Sequence, residues 1–498
     1  MPAKKISGHA SSSFTYRHAR ISLTIIFIIL ILSGSATLAI ASAPAATLKQ
    51  AGSPGPIYLP IIRSPLIQAP RINLPYFEIP QVSADHYHQA AVFWFGAVRD
   101  TRNYTDVRLG YHPDGIFVRL SIFDRYLWND LMAAPEDLEQ WDAITLYLET
   151  NPEANQALDT HAYRFVAELG TATTRTDLQA AYQWNGSAWS SASLTFYTSS
   201  GWKGSGPNNP TEDRGYALTF HIPYSALELS GPPAHGEIWR AALTLHDRDD
   251  AAGNTRQDTR WPDQFDPSRP RTWGVFSFGL PTYTAPPAGA TTTYTIRQGL
   301  NGIQVSDGVV GGNTLCGQGQ DFWTEWGDHV YTGAREMNAQ NQGNIDDWPC
   351  FSKFFITFPL DSLPTGKVIV SATLSLSQSG QSTGFDWDPP QALESLLQVF
   401  LVDRTWDETA LTWNNSPLVQ ENISQAWVGP LTMAEWGIAR VWDVSYGVAK
   451  AYQTGGSLQL AVYSADNFGP NGKYLLSSET GEYAADKRPT LTVVLGER

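Results

Sequence analysis

Apolar and polar residues alternate with period two along much of the chain, and this pattern predicts β-strands rather than helices. Ile116, Val118, Leu120 and Ile122 point one way, while Phe117, Arg119 and Ser121 point the other. Ile144, Leu146 and Leu148 alternate with Thr145 and Tyr147, and Tyr216, Leu218, Phe220 and Ile222 run up to Pro223. Trp239, Ala241, Leu243 and Leu245 repeat the pattern, and Trp273, Val275 and Ser277 close the first half. It returns in Phe354, Ile356 and Phe358, in Val368 to Leu376, in Leu458, Leu460 and Val462, and in Leu491, Val493 and Leu495. Asp-Gly, Asn-Gly and Pro-Asn-Asn clusters separate the runs. One short helix is predicted where Asp443 can cap a turn, Val444, Val448 and Tyr452 share a face, and Gly455-Gly456 end it. Many short strands divided by polar turns predict an all-β chain of antiparallel, jelly-roll-like sandwiches.

The strand-rich regions are bounded by segments of different character. Lys4, Lys5, Arg17 and Arg20 precede an apolar run, Ile21 to Leu32, and small residues Ala41-Ser42-Ala43 follow a second apolar stretch. This is a signal-peptide pattern over residues 1–43, with an uncleaved signal anchor as the alternative, since the stretch is long enough to span a bilayer. Both place the bulk of the chain outside the cytoplasmic membrane, secreted or at the cell surface. Residues 44–76 are proline-rich and predict an extended tether. A second linker at 281–292 divides the rest into modules of 77–280 and 293–498.

Hydrophobic residues make up 42% and charged residues 16% of 498 residues, a globular composition. The formal net charge of −15 argues against a nucleic-acid partner, which would need clustered Lys and Arg. Cys316 and Cys350 are the two cysteines; in an exported chain they read as one disulfide, the alternative being two buried thiols. The segment they bracket carries Phe322, Trp323, Trp326 and Trp348 among amides and acids, which fits a glycan or protein contact surface. Asp247, Asp249 and Asp250, followed by Gly253 and Asn254, place alternating oxygens on a turn, as a hard cation such as calcium requires. His86 and His88 share a strand face without an identifiable third ligand.

The run Asp114-Gly115-Ile116-Phe117-Val118, then Trp141 to Leu148, Gly215 to Pro223, Asp247-Arg248-Asp249-Asp250, Trp261 and Trp273-Gly274 resembles the family 9 carbohydrate-binding modules, within the DOMON-like sandwiches. The resemblance implies a sugar clamped between aromatic rings, with structural calcium and with structural polar contacts at Asp124 and Asp142. Trp128, Trp141 and Trp261 lie in or beside loops and are the candidate platforms; Trp323 and Trp326 are added from the bracketed segment. In the second half, Thr405-Trp406-Asp407-Glu408, Thr412-Trp413-Asn414-Asn415, Trp442-Asp443-Val444 and Arg488-Pro489-Thr490-Leu491 resemble the DNRLRE domain, a disaggregatase-related repeat grouped with carbohydrate-binding modules. Residues 316–350 depart from that pattern as an insertion.

No Gly-x-Ser-x-Gly elbow and no His-Glu-x-x-His motif occurs, and the two modules leave no further region of enzyme size. The sequence therefore predicts a non-catalytic protein that holds a poly- or oligosaccharide. A surface adhesion protein with spacer modules and a glycosyl hydrolase are the competing readings.

Overall fold

A computed structural model describes residues 74–498, apart from 84–88, 152, 155, 171–176, 255, 280–281, 342–344, 383–391, 433 and 467–470. The signal segment, the tether as far as residue 73 and the pair His86/His88 lie outside the described residues.

The fold is all-β. In the first half the strands are β1 (Tyr76–Ile79), β2 (Ala91–Arg99), β3 (Arg102–Tyr111), β4 (Gly115–Phe123), β5 (Ala143–Glu149), β6 (Ala162–Glu168), β7 (Gln179–Trp184), β8 (Trp189–Ser191), β9 (Tyr197–Gly204), β10 (Asp213–Pro223), β11 (Ile238–Arg248), β12 (Arg256–Trp261) and β13 (Gly274–Phe278). In the second they are β14 (Thr291–Arg297), β15 (Ser306–Gly311), β16 (Glu336–Ala339), β17 (Ser352–Phe358), β18 (Val368–Gln381), β19 (Ser395–Val402), β20 (Val419–Val428), β21 (Ile438–Asp443), β22 (Leu458–Ser464), β23 (Lys473–Leu476) and β24 (Thr490–Gly496). The predicted helix is α1 (Ser445–Thr454), closed by Gly455 in the left-handed conformation. The N-cap position is Val444, which makes no side-chain cap bond, so Asp443 does not cap the helix as expected; it accepts from the Ser445 N–H at 2.9 Å, and Ser445 Oγ accepts from the Ala372 N–H of β18 at 2.8 Å.

Each half is a sandwich. In the first, a five-stranded sheet ordered β2-β3-β4-β10-β9 faces the strands β1-β13-β11-β5-β6-β7-β8. In the second, a six-stranded sheet built on β14-β24-β18-β23-β16 faces β15-β17-β22-β19-β20. The facing layers of the two halves join edge to edge through β1, which pairs in parallel with β13 and touches β20 at Tyr76 and Glu421, so one 13-stranded sheet runs through both. Asn422 locks the joint: its Oδ1 accepts from the Glu78 N–H at 2.8 Å and its Nδ2 donates to the Glu78 carbonyl at 2.9 Å.

The middle strands of the second half are buried on both faces, as continuous apolar runs demand. Phe354, Ile356, Val399 and Leu460 turn into the core of their own sandwich. Their neighbours Phe355, Phe400, Ala461 and Tyr463 turn toward the first half, where the Trp94 ring meets Phe355, Phe400 and Tyr463 edge-on at 6.4, 5.9 and 5.7 Å. Lys353, also on this face, is fully buried; its Nζ donates to the Tyr104 hydroxyl at 2.8 Å and lies 3.8 Å from the Trp413 ring centre and 4.0 Å from that of Trp94. Tyr104 and Tyr463 donate in turn to the two oxygens of Asp106, at 2.6 and 2.7 Å. Arg108 spans the seam to the carbonyls of Ala465 and Asp466 at 3.1 and 3.0 Å. Burial pushes the Lys353 ammonium down and the Asp106 carboxyl up, and each opposes the shift of the other.

The insertion belongs to this seam. Cys316 and Cys350 form a disulfide, and the segment between them carries aromatic rings into the first half. Trp348 stacks on Phe123 at 4.1 Å and Trp326 sits 4.8 Å from Trp413. The close approach requires glycine at Gly215, whose φ is +117° and where a Cβ would lie 2.7 Å from the Trp348 ring.

Candidate functional site

Two groups of side chains in the first half have chemistry that its core does not need. The first is a carboxylate cluster at one end of the sandwich. Asp124 ends β4, Asp142 precedes β5 and Asp247 lies near the end of β11; one oxygen of each lies within 4.8 Å of the others, and all three residues are buried. Backbone donors fix their orientation. Asp142 accepts from the Trp128 N–H at 2.7 Å and the Arg248 N–H at 2.9 Å, and Asp124 accepts from the Tyr126 N–H at 3.1 Å.

Asp124 Oδ2, Asp247 Oδ1 and the Tyr216 hydroxyl are buried without hydrogen-bond partners. Burial first, then the charges of the neighbouring aspartates, raises Asp124 and Asp142 well above the ordinary carboxylate range; burial and Asp249 do the same to Asp247. Asp249 is raised to about 6 by burial and by Asp250. Several carboxylate oxygens converging in a buried site and repelling one another fit a hard divalent cation.

The second group lies on the outer face of the sheet β11-β5-β6-β7-β8. Residues that alternate with the core positions form rows across the strands: Ala242, Tyr147, Arg164, Tyr182 and Ser191 in one, Arg240, Glu149, Ala162, Trp184 and Trp189 in the next. Phe265 and Trp273 cover the middle of the face over Tyr147, at 5.4 and 5.6 Å. Toward the β7–β8 edge the face opens. There Trp184 and Trp189, both partly exposed, meet as a corner with centroids 5.6 Å apart and an interplanar angle of 76°. Arg164 lies over the Tyr182 ring at 4.5 Å and pairs with Glu139 at 2.9 Å, while its Nε is buried without a partner.

Behind it, His246 sits between Asp258 at 3.1 Å and Glu139 at 3.5 Å. Burial disfavours the His246 cation, but the hydrogen bonds and charges of Asp258 and Glu139 win and raise its pKa. Burial likewise opposes the Glu139 charge, yet His246, Arg164 and Thr145 together bring it down to about 2.

The structure redistributes the residues singled out from the sequence. Trp261 is 2% exposed, packed 4.3 Å from Phe93, and so offers no free face to a ligand; this corrects its reading as a platform. Trp326 is likewise corrected, being 1% exposed within the seam. Trp323 is buried but lines a cleft together with Asp213 and Arg214. Trp141 is partly exposed, with the Arg248 guanidinium over one face at 3.8 Å. Trp128 is partly buried and its backbone holds Asp142.

Of the acidic turn, Asp247 alone joins the carboxylate cluster. Asp250 instead accepts from the N–H groups of Ala252 and Asn254 at 2.7 and 3.2 Å and shapes the turn. Asp124 follows β4 and Asp142 precedes β5, while Asp247 comes from the distant β11, so no local spacing reveals the three as one cluster. Arg164, Trp184 and Trp189 were missed too, although tryptophan at outward positions of a hairpin was a usable signal.

No family model matches this chain, and no curated protein matches it. Among solved structures it is similar to a family 9 carbohydrate-binding module from Caldicellulosiruptor kristjanssonii in complex with cellotriose, at 15% identity and a TM-score of 0.30, covering 42% of this chain and 95% of that one. The same module in complex with glucose gives 16% identity and a TM-score of 0.28, over 42% and 98% of the two chains. A carbohydrate-binding protein from Bacteroides uniformis, described as putative, gives 12% identity and 0.30, over 41% and 99%.

Proposed function

We propose that this is a secreted or cell-surface protein that binds a saccharide without cleaving it. The observation that carries this reading is the partly exposed pair Trp184 and Trp189 on the outer face of the sheet. A pyranose has an apolar C–H face that packs on an indole, and hydroxyls that require fixed polar partners. The corner supplies two partly exposed indoles, and the neighbouring row of the same face supplies Tyr182 and Arg164. Glu139 and Asp258 hold His246 behind it, so Arg164 is set by a network rather than by solvent.

The carboxylates Asp124, Asp142 and Asp247, with the Tyr216 hydroxyl, would hold a calcium ion. The ion would neutralise the cluster and fix the loop from Asp124 to Asp142, which carries Glu139 and leads into β5. Its role is structural, since nothing about the cluster places it at the tryptophan corner.

The testing experiment is a glycan-array screen of the full chain followed by titration of any hit against Trp184→Ala and Trp189→Ala. An affinity loss of about tenfold or more in either variant supports the reading. A silent array with a folded protein sinks it and moves the adhesion-spacer reading to first place.

A further inference from the structure

The two halves meet edge to edge along β1 and β20, but the register between these strands is a single pair, Tyr76 with Glu421. At the next residue of β20 the Asn422 side chain takes the place of a backbone ladder against Glu78 and holds the strands apart. Beyond it β1 ends at Ile79 while β20 runs on to Val428, and the fork between them opens into a groove of about 540 Å³. We propose that this groove is a second saccharide subsite, completed only when both halves are present. The proposal rests on the saccharide-binding reading but concerns a different place on the molecule.

Strand alternation brings the groove's side chains to one face. In the β19–β20 ladder Leu396 lies opposite Trp427 and Gln398 opposite Gln425, so the four share a face. Gln398 is buried and its Nε2 donates to the Ala90 carbonyl at 2.7 Å, which turns that face toward the first half. Leu396 is buried, whereas Trp427 stays 42% exposed. From the first half come Gln81, Gln89, Tyr111 and His235. Gln81 and His235 are exposed and Gln89 and Gln425 partly exposed, so a ligand in the groove reaches them directly. The side-chain amides of Gln81, Gln89 and Gln425 hydrogen-bond no other described residue. Tyr111 is held beside Gln81 by its backbone, which donates to the Pro80 carbonyl at 3.2 Å and accepts from the Val82 N–H at 2.9 Å.

The chemistry of the lining selects the ligand. No lysine, arginine, aspartate or glutamate is among the described residues that line the groove. His235 is the one lining group there that can become a cation, so an anion would be held only on its protonation. An apolar ligand would cover the amides without offering them partners, at a cost of about 1–3 kcal/mol for each group it buries. A pyranose matches on both counts. Its C–H face packs on the exposed part of the Trp427 ring, and its hydroxyls donate and accept where each amide accepts and donates. The volume lies in the range of small-ligand sites.

Trp427, Trp184 and Trp189 give each place its own reporter. The full chain is labelled with 5-fluorotryptophan, and the three fluorine resonances are assigned with Trp427→Phe, Trp184→Phe and Trp189→Phe. Melting curves confirm that the variants are folded. Short oligosaccharides cut from cellulose, xylan, mannan and β-1,3-glucan are titrated at about pH 8, to keep a charge on His235 out of the measurement. The expected result is a saturable shift of the Trp427 resonance with at least one sugar. In Gln81→Ala/Gln425→Ala that titration should weaken about tenfold or more, while the shifts at Trp184 and Trp189 persist.

A shift at Trp184 or Trp189, with Trp427 unmoved by every sugar, would overturn the groove and leave the outer-face reading standing. A Trp427 titration undiminished in Gln81→Ala/Gln425→Ala would also overturn the groove as a built subsite. A shift at Trp427 alone, weakened in that variant, would support the groove and overturn the outer face. No shift at any of the three rings would overturn both.

Discussion

Replacing Lys353 by alanine leaves Asp106 buried beside two tyrosine hydroxyls with Arg108 as its remaining cation, and removes the ammonium between the Trp94 and Trp413 rings. Breaking a buried charge pair on one side costs about 3–5 kcal/mol. Lys353→Ala should therefore lower the denaturant midpoint sharply, whereas Lys353→Met, which keeps the packing, should lose less if Asp106→Asn accompanies it; a loss below 1 kcal/mol in Lys353→Ala would show that the network contributes little.

His246 and Glu139 set a pH window. The folded His246 pKa is raised, so its stabilisation is complete below the ordinary histidine value of about 6.5 and disappears as pH rises through the folded value. Glu139 is depressed to about 2, so its contribution is present above the unfolded value of about 4.3 and is lost as pH falls toward 2. Thermal unfolding followed against pH should lose a step of stability as pH rises above the ordinary histidine value of about 6.5 in the wild type, and this step should be absent in His246→Gln. Glu139 lies on the short 3-10 turn Leu138–Gln140 and His246 on β11, so the sequence does not show them as partners.

At the scale of elements, the insertion carries the clearest consequences. Its disulfide closes a loop with a sequence separation of 34 residues, and its rings plug the seam. Cys316→Ser/Cys350→Ser should cost about 2–4 kcal/mol in equilibrium unfolding, chiefly by freeing the unfolded chain. The carboxylate cluster ties β4, β5 and β11. Without an ion its raised pKa values mean that the folded state binds more protons than the unfolded one, so stability rises as pH falls from neutrality.

A calcium ion bound at the cluster would reverse the sign of that dependence, because it would have to displace those protons. Adding calcium at pH 7 should raise the melting temperature, by less at pH 5 where more protons must be displaced, and Asp142→Asn should abolish the effect. A melting temperature indifferent to calcium and chelator at both pH values would rule the site out.

For the whole molecule, the seam predicts cooperativity. The C-terminal half presents Phe355, Phe400, Tyr463 and Lys353 to the first half, and a sandwich cut free at residue 281–292 would expose all four to water. Calorimetry should show one unfolding transition for residues 74–498, and residues 293–498 expressed alone should aggregate or bind a hydrophobic dye. Two separated transitions would mean that the halves fold independently, as the linker at 281–292 suggests when read from composition alone.

The alternation of apolar residues, with no help from tertiary contacts, determined that the chain is all-β and placed most strands and the single helix, because side-chain period is a local property of backbone geometry. The cysteine count marked Cys316 and Cys350, the run of oxygens on a turn marked Asp247, and the family resemblance marked Asp124 and Asp142 as polar contacts. Which aromatics are platforms and which are core was decided by the tertiary structure. Trp261, Trp326, Trp184 and Trp189 are chemically identical, and only the layer packed against each ring tells a buried one from an open one. The same holds for Phe354 and Phe355, adjacent residues that both prove apolar because β17 is covered on one face by its own sandwich and on the other by the first half. Asp124 and Asp142 became a cluster with Asp247 only when three strands met at one end of the fold, since carboxylates interact through distance in space, which spacing along the chain does not encode.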